Sequence, residues 1–288
     1  MKPTYALVLF ASTAGLLLTA CGASRTTPYH PVEGEFDPQA SDERALELVE
    51  AMMAELGTPG AWDEVKQLRW QQIFFLEDEV RGLFVHAWDR WNARHRYEQP
   101  TLPSLALAEQ EGDPDLVQSI VAKYRIYDMS RAHVSFAGMP AADDDAEEML
   151  ETARESFDHG HFMLAGYHRL QEPGVTLHYQ GQSEPNSGYC EPACSIVMAE
   201  LAPELGGHRY FLHINTETSR PDIIARQVGT VQQAYGLAEW TEIAGLEFPV
   251  QFENVGNAAE RIVYEDLEIG DVERSLYVPE VRQAGRSR

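Results

Sequence analysis

Basic residues are scarce in this chain: 22 Lys and Arg stand against 46 Asp and Glu, a net charge of −24 with neutral histidines. Nucleic acid demands a basic footprint, so that class of partner is excluded. Docking by charge on anionic lipid needs a polybasic patch, and none is present. The acidity itself serves solubility. Also missing are Gly-x-Ser-x-Gly, a P-loop, a dinucleotide fingerprint and His-Glu-x-x-His. An enzyme is therefore not the expected class, and no cofactor is expected. Long apolar runs are absent beyond the first residues, where Tyr5 to Leu18 are apolar. That run is too short and too abruptly followed by polar chain for a membrane-spanning helix.

What is there begins with Leu18-Thr19-Ala20-Cys21. The four residues resemble the lipobox of bacterial lipoproteins, which implies cleavage before Cys21 and acylation of that cysteine. An ordinary secretory signal cleaved near Ala20 or Ala23 is the other reading. More than one acyl chain makes a durable anchor, so residues 1–20 read as a signal peptide and the membrane as a partner through Cys21. Gly22, where an inner-membrane retention signal would place Asp, favours the outer membrane, facing the periplasm. Residues 21–40 are rich in Ser, Thr, Pro and Gly and read as a flexible tether. About twenty such residues reach roughly 25 Å. Residues 41–280, without a second linker or an internal repeat, read as one domain, and 281–288 as a disordered tail.

Three cysteines are few. With Cys21 given to lipid, Cys190 and Cys194 form an isolated pair, read first as a disulfide in an oxidising compartment. The alternative is a copper or redox site completed by His159, His161 or His168. His159 and His161, at i and i+2, could also share a metal from one side of a strand, although no third ligand stands at zincin spacing. The triplet Asp143-Asp144-Asp145 lacks the Gly and distal Glu of a calcium loop and reads as the start of a helix.

Ser41 is the expected cap of a helix with a stripe at Ala45, Leu46, Val49, Met52, Met53 and Leu56, stopped at Gly57. Leu68 to Phe75, Leu83 to Trp91 and His95 to Gln99 read as an antiparallel meander. Asp113-Pro114 suggests a short helix over Leu116, Val117, Ile120 and Tyr124. A second helix follows the Asp triplet, with Ala146, Met149, Leu150, Ala153 and Phe157 on one side. Seven further strands lie between Val175 and Ile269, and alternation such as Tyr210, Leu212, Ile214 gives each one dry face. This pattern describes an α+β chain built on a large curved antiparallel sheet or incomplete β-barrel.

Trp62, His86-Ala87-Trp88-Asp89-Arg90, Arg96-Tyr97-Glu98, Phe162-Met163-Leu164, Leu170 to Val175, Asn215 to Thr218 with Pro221, and Gly245 to Pro249 together carry a resemblance spanning Gly60 to Pro279. They resemble an uncharacterised group of exported bacterial lipoproteins, and the layout is similar to the Lol-type periplasmic lipoprotein carriers and receptors. That resemblance implies helices covering the concave face of the sheet and an apolar ligand, a lipid or acyl chain, held between. It brings no catalytic residues. The chain departs from the group at His161-Phe162, where a Tyr-Trp pair is usual, and in the Cys190/Cys194 pair. The expected ligand-contacting residues are Trp70, Phe74, Phe84 and Trp88, with Arg90 and Arg94 for an anionic headgroup helped by His86 and Arg96. For Trp88-Asp89-Arg90 the competing reading is Trp88 in the core and the two charges in cross-strand ion pairs. A receptor or local chaperone is thus expected. The alternatives are a non-catalytic assembly lipoprotein with a filled core, or a Cys/His metal or redox protein.

Overall fold

A computed structural model describes residues 28–57, 59–184 and 189–278. Cys21, the signal peptide and the tail at 281–288 lie outside them. Among the described residues, thirteen antiparallel strands form one open sheet in the order β6-β5-β4-β3-β2-β1-β13-β12-β11-β10-β9-β8-β7. The strands are β1 Gln67–Leu76, β2 Glu79–Asp89, β3 Arg94–Pro100, β4 Ser119–Arg125, β5 His133–Phe136, β6 Met139–Pro140, β7 Val175–Ser183, β8 Cys194–Leu201, β9 Arg209–Asn215, β10 Pro221–Val228, β11 Val231–Ile243, β12 Leu246–Asn254 and β13 Glu260–Gly270. The chain runs from the centre out to β6, crosses to the opposite edge, and returns to pair β13 with β1. This is the expected α+β curved sheet.

The helices are α1 Glu43–Glu55, α2 Pro59–Glu64, α3 Leu102–Glu111 and α4 Asp143–Ala165. The crossing is made by α4, whose 23 residues span about 35 Å. Three tyrosines from the sheet fix it by donating to its carbonyls: Tyr124 to Ala153 at 3.1 Å, Tyr210 to Asp158 at 3.3 Å and Tyr264 to Gly160 at 3.2 Å. One core joins Val49, Met52 and Leu56 of α1, Trp62 of α2, and Phe157, Phe162 and Leu164 of α4 to the inner residues of the sheet. The helices thus occupy the concavity with their own side chains.

Four local expectations are corrected. Ile120, Ala122 and Tyr124 also fit a period of two, and they lie on β4, beyond a 3-10 turn at Pro114–Leu116, rather than on a helix. The acidic helix runs through His159-Gly160-His161 to Ala165 instead of ending before them. Ser41 does not cap α1: its hydroxyl accepts from Leu177 N–H, and Asp42 accepts from Tyr179 N–H. Both side chains satisfy the open edge of β7, where unpaired N–H groups would otherwise invite another strand. The expected tether is also in place on the domain over its described part, because Phe36 packs against the core and Tyr29 against Tyr127, with ring centroids 5.6 Å apart.

The turn after α1 depends on Gly57. Its φ is +125°, and a Cβ there would stand 2.6 Å from the Gly245 carbonyl oxygen. Both the strained backbone and a contact with immobile backbone oppose a side chain. Gly57→Ala is expected to cost about 3 kcal/mol, read as a lower urea midpoint. A change under a third of that would show that the turn relaxes freely.

Candidate functional site

The candidate site is built on the C-terminal half of α4 and the turn Gly166–Arg169 that continues it. There the chain of Arg169 and Glu172 meets α2 and the end of β2. Glu172 sits at i+3 from Arg169 and accepts its Nε–H at 2.7 Å. Arg90, just past β2, donates to the carbonyls of Trp62 at 2.6 Å and Val65 at 2.9 Å, and faces Glu172 at 3.5 Å. Its guanidinium lies 3.9 Å above the Trp62 ring, and Arg169 lies 5.3 Å from the Trp88 ring. His30 completes the surround of Glu172 at 3.5 Å. Burial opposes charge on Glu172, yet Arg169, His30 and Arg90 together hold its carboxyl well below the usual carboxylate range. Burial pushes Arg90 down to about 10, against the pull of Glu172.

Beside this cluster lies a cavity of about 160 Å³. Phe157, His161 and Phe162 of α4 line it, together with Ile126, Tyr127 and Met129 after β4 and with Leu205. Asp158 lines it too, paired to Arg154 at 3.0 Å. Burial raises the Asp158 carboxyl to about 6, with Arg154 and Arg226 pulling the other way. His161 donates from Nδ1 to the Phe157 carbonyl at 2.6 Å and stacks on the Phe157 ring. Burial, then Arg169, lowers its pKa to about 3, so the ring is neutral.

The residues expected to touch a ligand are placed as follows. Trp70 stacks on His86 with centroids 4.7 Å apart and leans on Phe157. Phe74 meets Phe84 edge-on, and Phe84 stacks on Tyr97. Trp88 packs against Phe157 and His161. None of Trp70, Phe74, Phe84, Trp88, Arg90 and Arg94 is among the residues lining the cavity. Their contacts are with other residues of this chain. The cationic group is also dispersed: Arg94 pairs with Asp89, its register partner across β2 and β3, and Arg96 pairs with Glu98. Buried His86 donates from Nδ1 to His95 Nε2 at 3.1 Å. Of the cross-strand pairs weighed for Trp88-Asp89-Arg90, the one made is Asp89–Arg94.

His159 and His161 lie two residues apart on a helix, about 200° around its axis, so they cannot share a metal as strand neighbours would. His159 instead receives a contact from Arg226 at 3.4 Å. Cys190 and Cys194 are joined in a disulfide, Cα atoms 4.9 Å apart. Asp222 is the one other ligand type gathered with them among the described residues, and with the sulfurs bonded to each other no thiolate remains for a metal. Arg169, Asp158, Phe157 and Leu205 were not among the expected site residues. The i, i+3 spacing of Arg169 and Glu172 was their one visible signal; their meeting with Arg90 depends on tertiary contact.

No family model matches the chain, and no curated protein does. Among solved structures it is similar to MucB in complex with MucA(peri), at 11% identity and a TM-score of 0.23, covering 81% of this chain and 59% of that one. It is likewise similar to the MucA/MucB complex of Pseudomonas aeruginosa, at 11% identity and a TM-score of 0.19, covering 81% and 61%. The chain thus spans about three fifths of the length of the solved chains it matches. Among the described residues no helix is long and apolar enough to cross a membrane.

Proposed function

We propose that this chain is a lipid-anchored protein of the bacterial envelope, held by acyl chains on Cys21 and facing the periplasm, that binds or assembles other components without catalysis. The observation that carries this reading is the filled concavity. Met52, Leu56, Phe157, Phe162 and Leu164 are all buried against the inner face of the sheet, where an acyl chain would otherwise lie. The cavity beside α4, about 160 Å³, is below the roughly 300–1,000 Å³ of drug-sized ligand pockets. Trp70, Phe74, Phe84 and Trp88 then act as core, and the protein is a factor with a closed interior more than a carrier of whole lipids.

The test is mass spectrometry of organic extracts from the full chain carrying Cys21→Ala, which removes the acyl site but leaves the domain intact. No stoichiometric lipid is expected. One lipid per protein, retained through gel filtration, would restore the acyl-chain reading and require the helices to part from the sheet. Labelling of the unmodified chain with an alkyne palmitate, lost in Cys21→Ala, checks the anchor separately.

A further inference from the structure

The cavity beside α4 is bordered by a polar atom that its protein neighbours leave unused. His161 donates through Nδ1 to the Phe157 carbonyl, so its proton is on Nδ1 and Nε2 is a bare acceptor. No hydrogen bond reaches Nε2 from the described residues. The side chain is 9% exposed and borders the cavity. Its plane is fixed by Phe157, stacked with centroids 4.4 Å apart, and by Trp88, edge-on at 5.4 Å. An acceptor held in one orientation at a cavity wall, without a donor from the protein, is available to a guest that brings one.

The size and lining restrict that partner. About 160 Å³ matches a six-membered aromatic ring, since an engineered apolar cavity of about 150 Å³ takes up benzene. Phe162, Met129, Val175 and Leu205 supply apolar walls. The guanidiniums of the wall are committed to carboxylates, Arg154 to Glu151 and Asp158 and Arg169 to Glu172, while Glu204 adds a further carboxylate outside these pairs. Any charged guest therefore meets a like charge in the wall, and a neutral one does not.

From these features we infer that the cavity is a binding site for an aromatic ring carrying a hydroxyl, with the ring against Phe162 and Leu205 and the hydroxyl donating to His161 Nε2. Such a group arrives either as a free phenolic compound or as a tyrosine side chain of a partner polypeptide. The inference concerns the cavity alone and holds whether or not Cys21 is acylated.

The experiment follows the ring-proton resonances of the probes by saturation-transfer NMR in the full Cys21→Ala chain, with p-cresol, toluene and N-acetyltyrosinamide as probes. p-Cresol is expected to bind saturably, at least tenfold tighter than toluene, which has the same ring and no donor. Leu205→Trp, on the turn Pro203–Leu205, enlarges a half-buried side chain of the cavity wall and should weaken p-cresol binding at least tenfold. His161→Phe should erase the preference for p-cresol over toluene. Binding of N-acetyltyrosinamide within threefold of p-cresol assigns the site to a polypeptide tyrosine; binding of p-cresol alone assigns it to a free phenol. Equal binding of toluene and p-cresol, no saturable binding of p-cresol, or unchanged binding in Leu205→Trp would overturn the assignment.

Discussion

Acidification from pH 7 to pH 5 is expected to unfold the domain. His86, His95, His159, His161 and His168 are held neutral mainly by burial, His86 and His161 at about 3, His159 and His168 at about 4, and His95 well below its ordinary value. In the unfolded chain each takes up a proton near pH 6.5. Below that pH the unfolded state binds more protons than the folded one, so stability is full above pH 6.5 and falls as the pH drops. At pH 5 each histidine has given up about 2 kcal/mol, and the five together about 10 kcal/mol, comparable to the ~5–15 kcal/mol by which whole domains are stable. Asp158 has the opposite sign. Its folded pKa of about 6 exceeds the unfolded value, so protonation in the folded state returns stability as pH falls, but only about 1 kcal/mol by pH 5.

The hydrogen-bond chain at the centre of the sheet shows why these histidines resist protonation. Tyr124 donates to the Ala153 carbonyl, so His95 Nδ1 donates to the Tyr124 oxygen, and His86 Nδ1 donates to His95 Nε2. A proton added to His95 would place two donors face to face at 3.1 Å. Urea midpoints measured by near-ultraviolet circular dichroism at pH 7.5, 6 and 5 should fall steeply over this range. Midpoints constant to within a tenth between pH 7.5 and 5 would show that the histidines gain protons without unfolding.

The fold was largely legible because the sheet writes its period plainly. Tyr210, Leu212 and Ile214 alternate and are all buried on β9, and Phe248 and Phe252 do the same on β12. Segments that fit two periods were not legible. Ile120 and Tyr124 are four apart, which suits a helix, and with Ala122 they are also two apart, which suits a strand; pairing with β3 decides. The i, i+2 spacing of His159 and His161 suits a strand after the acidic helix, yet α4 continues through both and through Gly160 between them. A Cβ at Gly160 would stand 2.5 Å from Gln72 Oε1 on β1, so the glycine permits the close approach of the two. Hydrophobic periodicity marks no element over Leu102–Glu111, although Ala, Leu and Glu are strong helix formers and Gly112 at φ 67° ends the helix. The site was the least legible part. Arg90 is expected from the sequence to hold an anionic headgroup, but the carboxylate that meets it lies at position 172, and no local pattern links residues that far apart.

That carboxylate carries the second large expectation. Glu172 stands against two guanidiniums, that of buried Arg90 and that of the largely buried Arg169. Glu172→Gln leaves both charges in place and removes their counter-ion, and breaking a buried pair in this way costs about 3–5 kcal/mol. For a domain of this size the melting temperature should drop by about 10 °C. The loss is not simply a missing hydrogen bond, because glutamine keeps the shape and an oxygen acceptor. The comparison that proves this is Arg169→Met with Glu172→Gln together. Arg90 retains the Trp62 and Val65 carbonyls, whereas Arg169 has Glu172 as its salt-bridge partner, so removing Arg169 removes the stranded charge. The double variant is expected to be more stable than Glu172→Gln alone, a coupling of the size neighbouring charges show. A Glu172→Gln chain that melts within about 2 °C of the unsubstituted one would mean that solvent reaches the guanidiniums. In that case the wall of the cavity formed by Arg169 and Glu172 would be wet and loose rather than the closed, internally paired surface that a neutral aromatic guest requires.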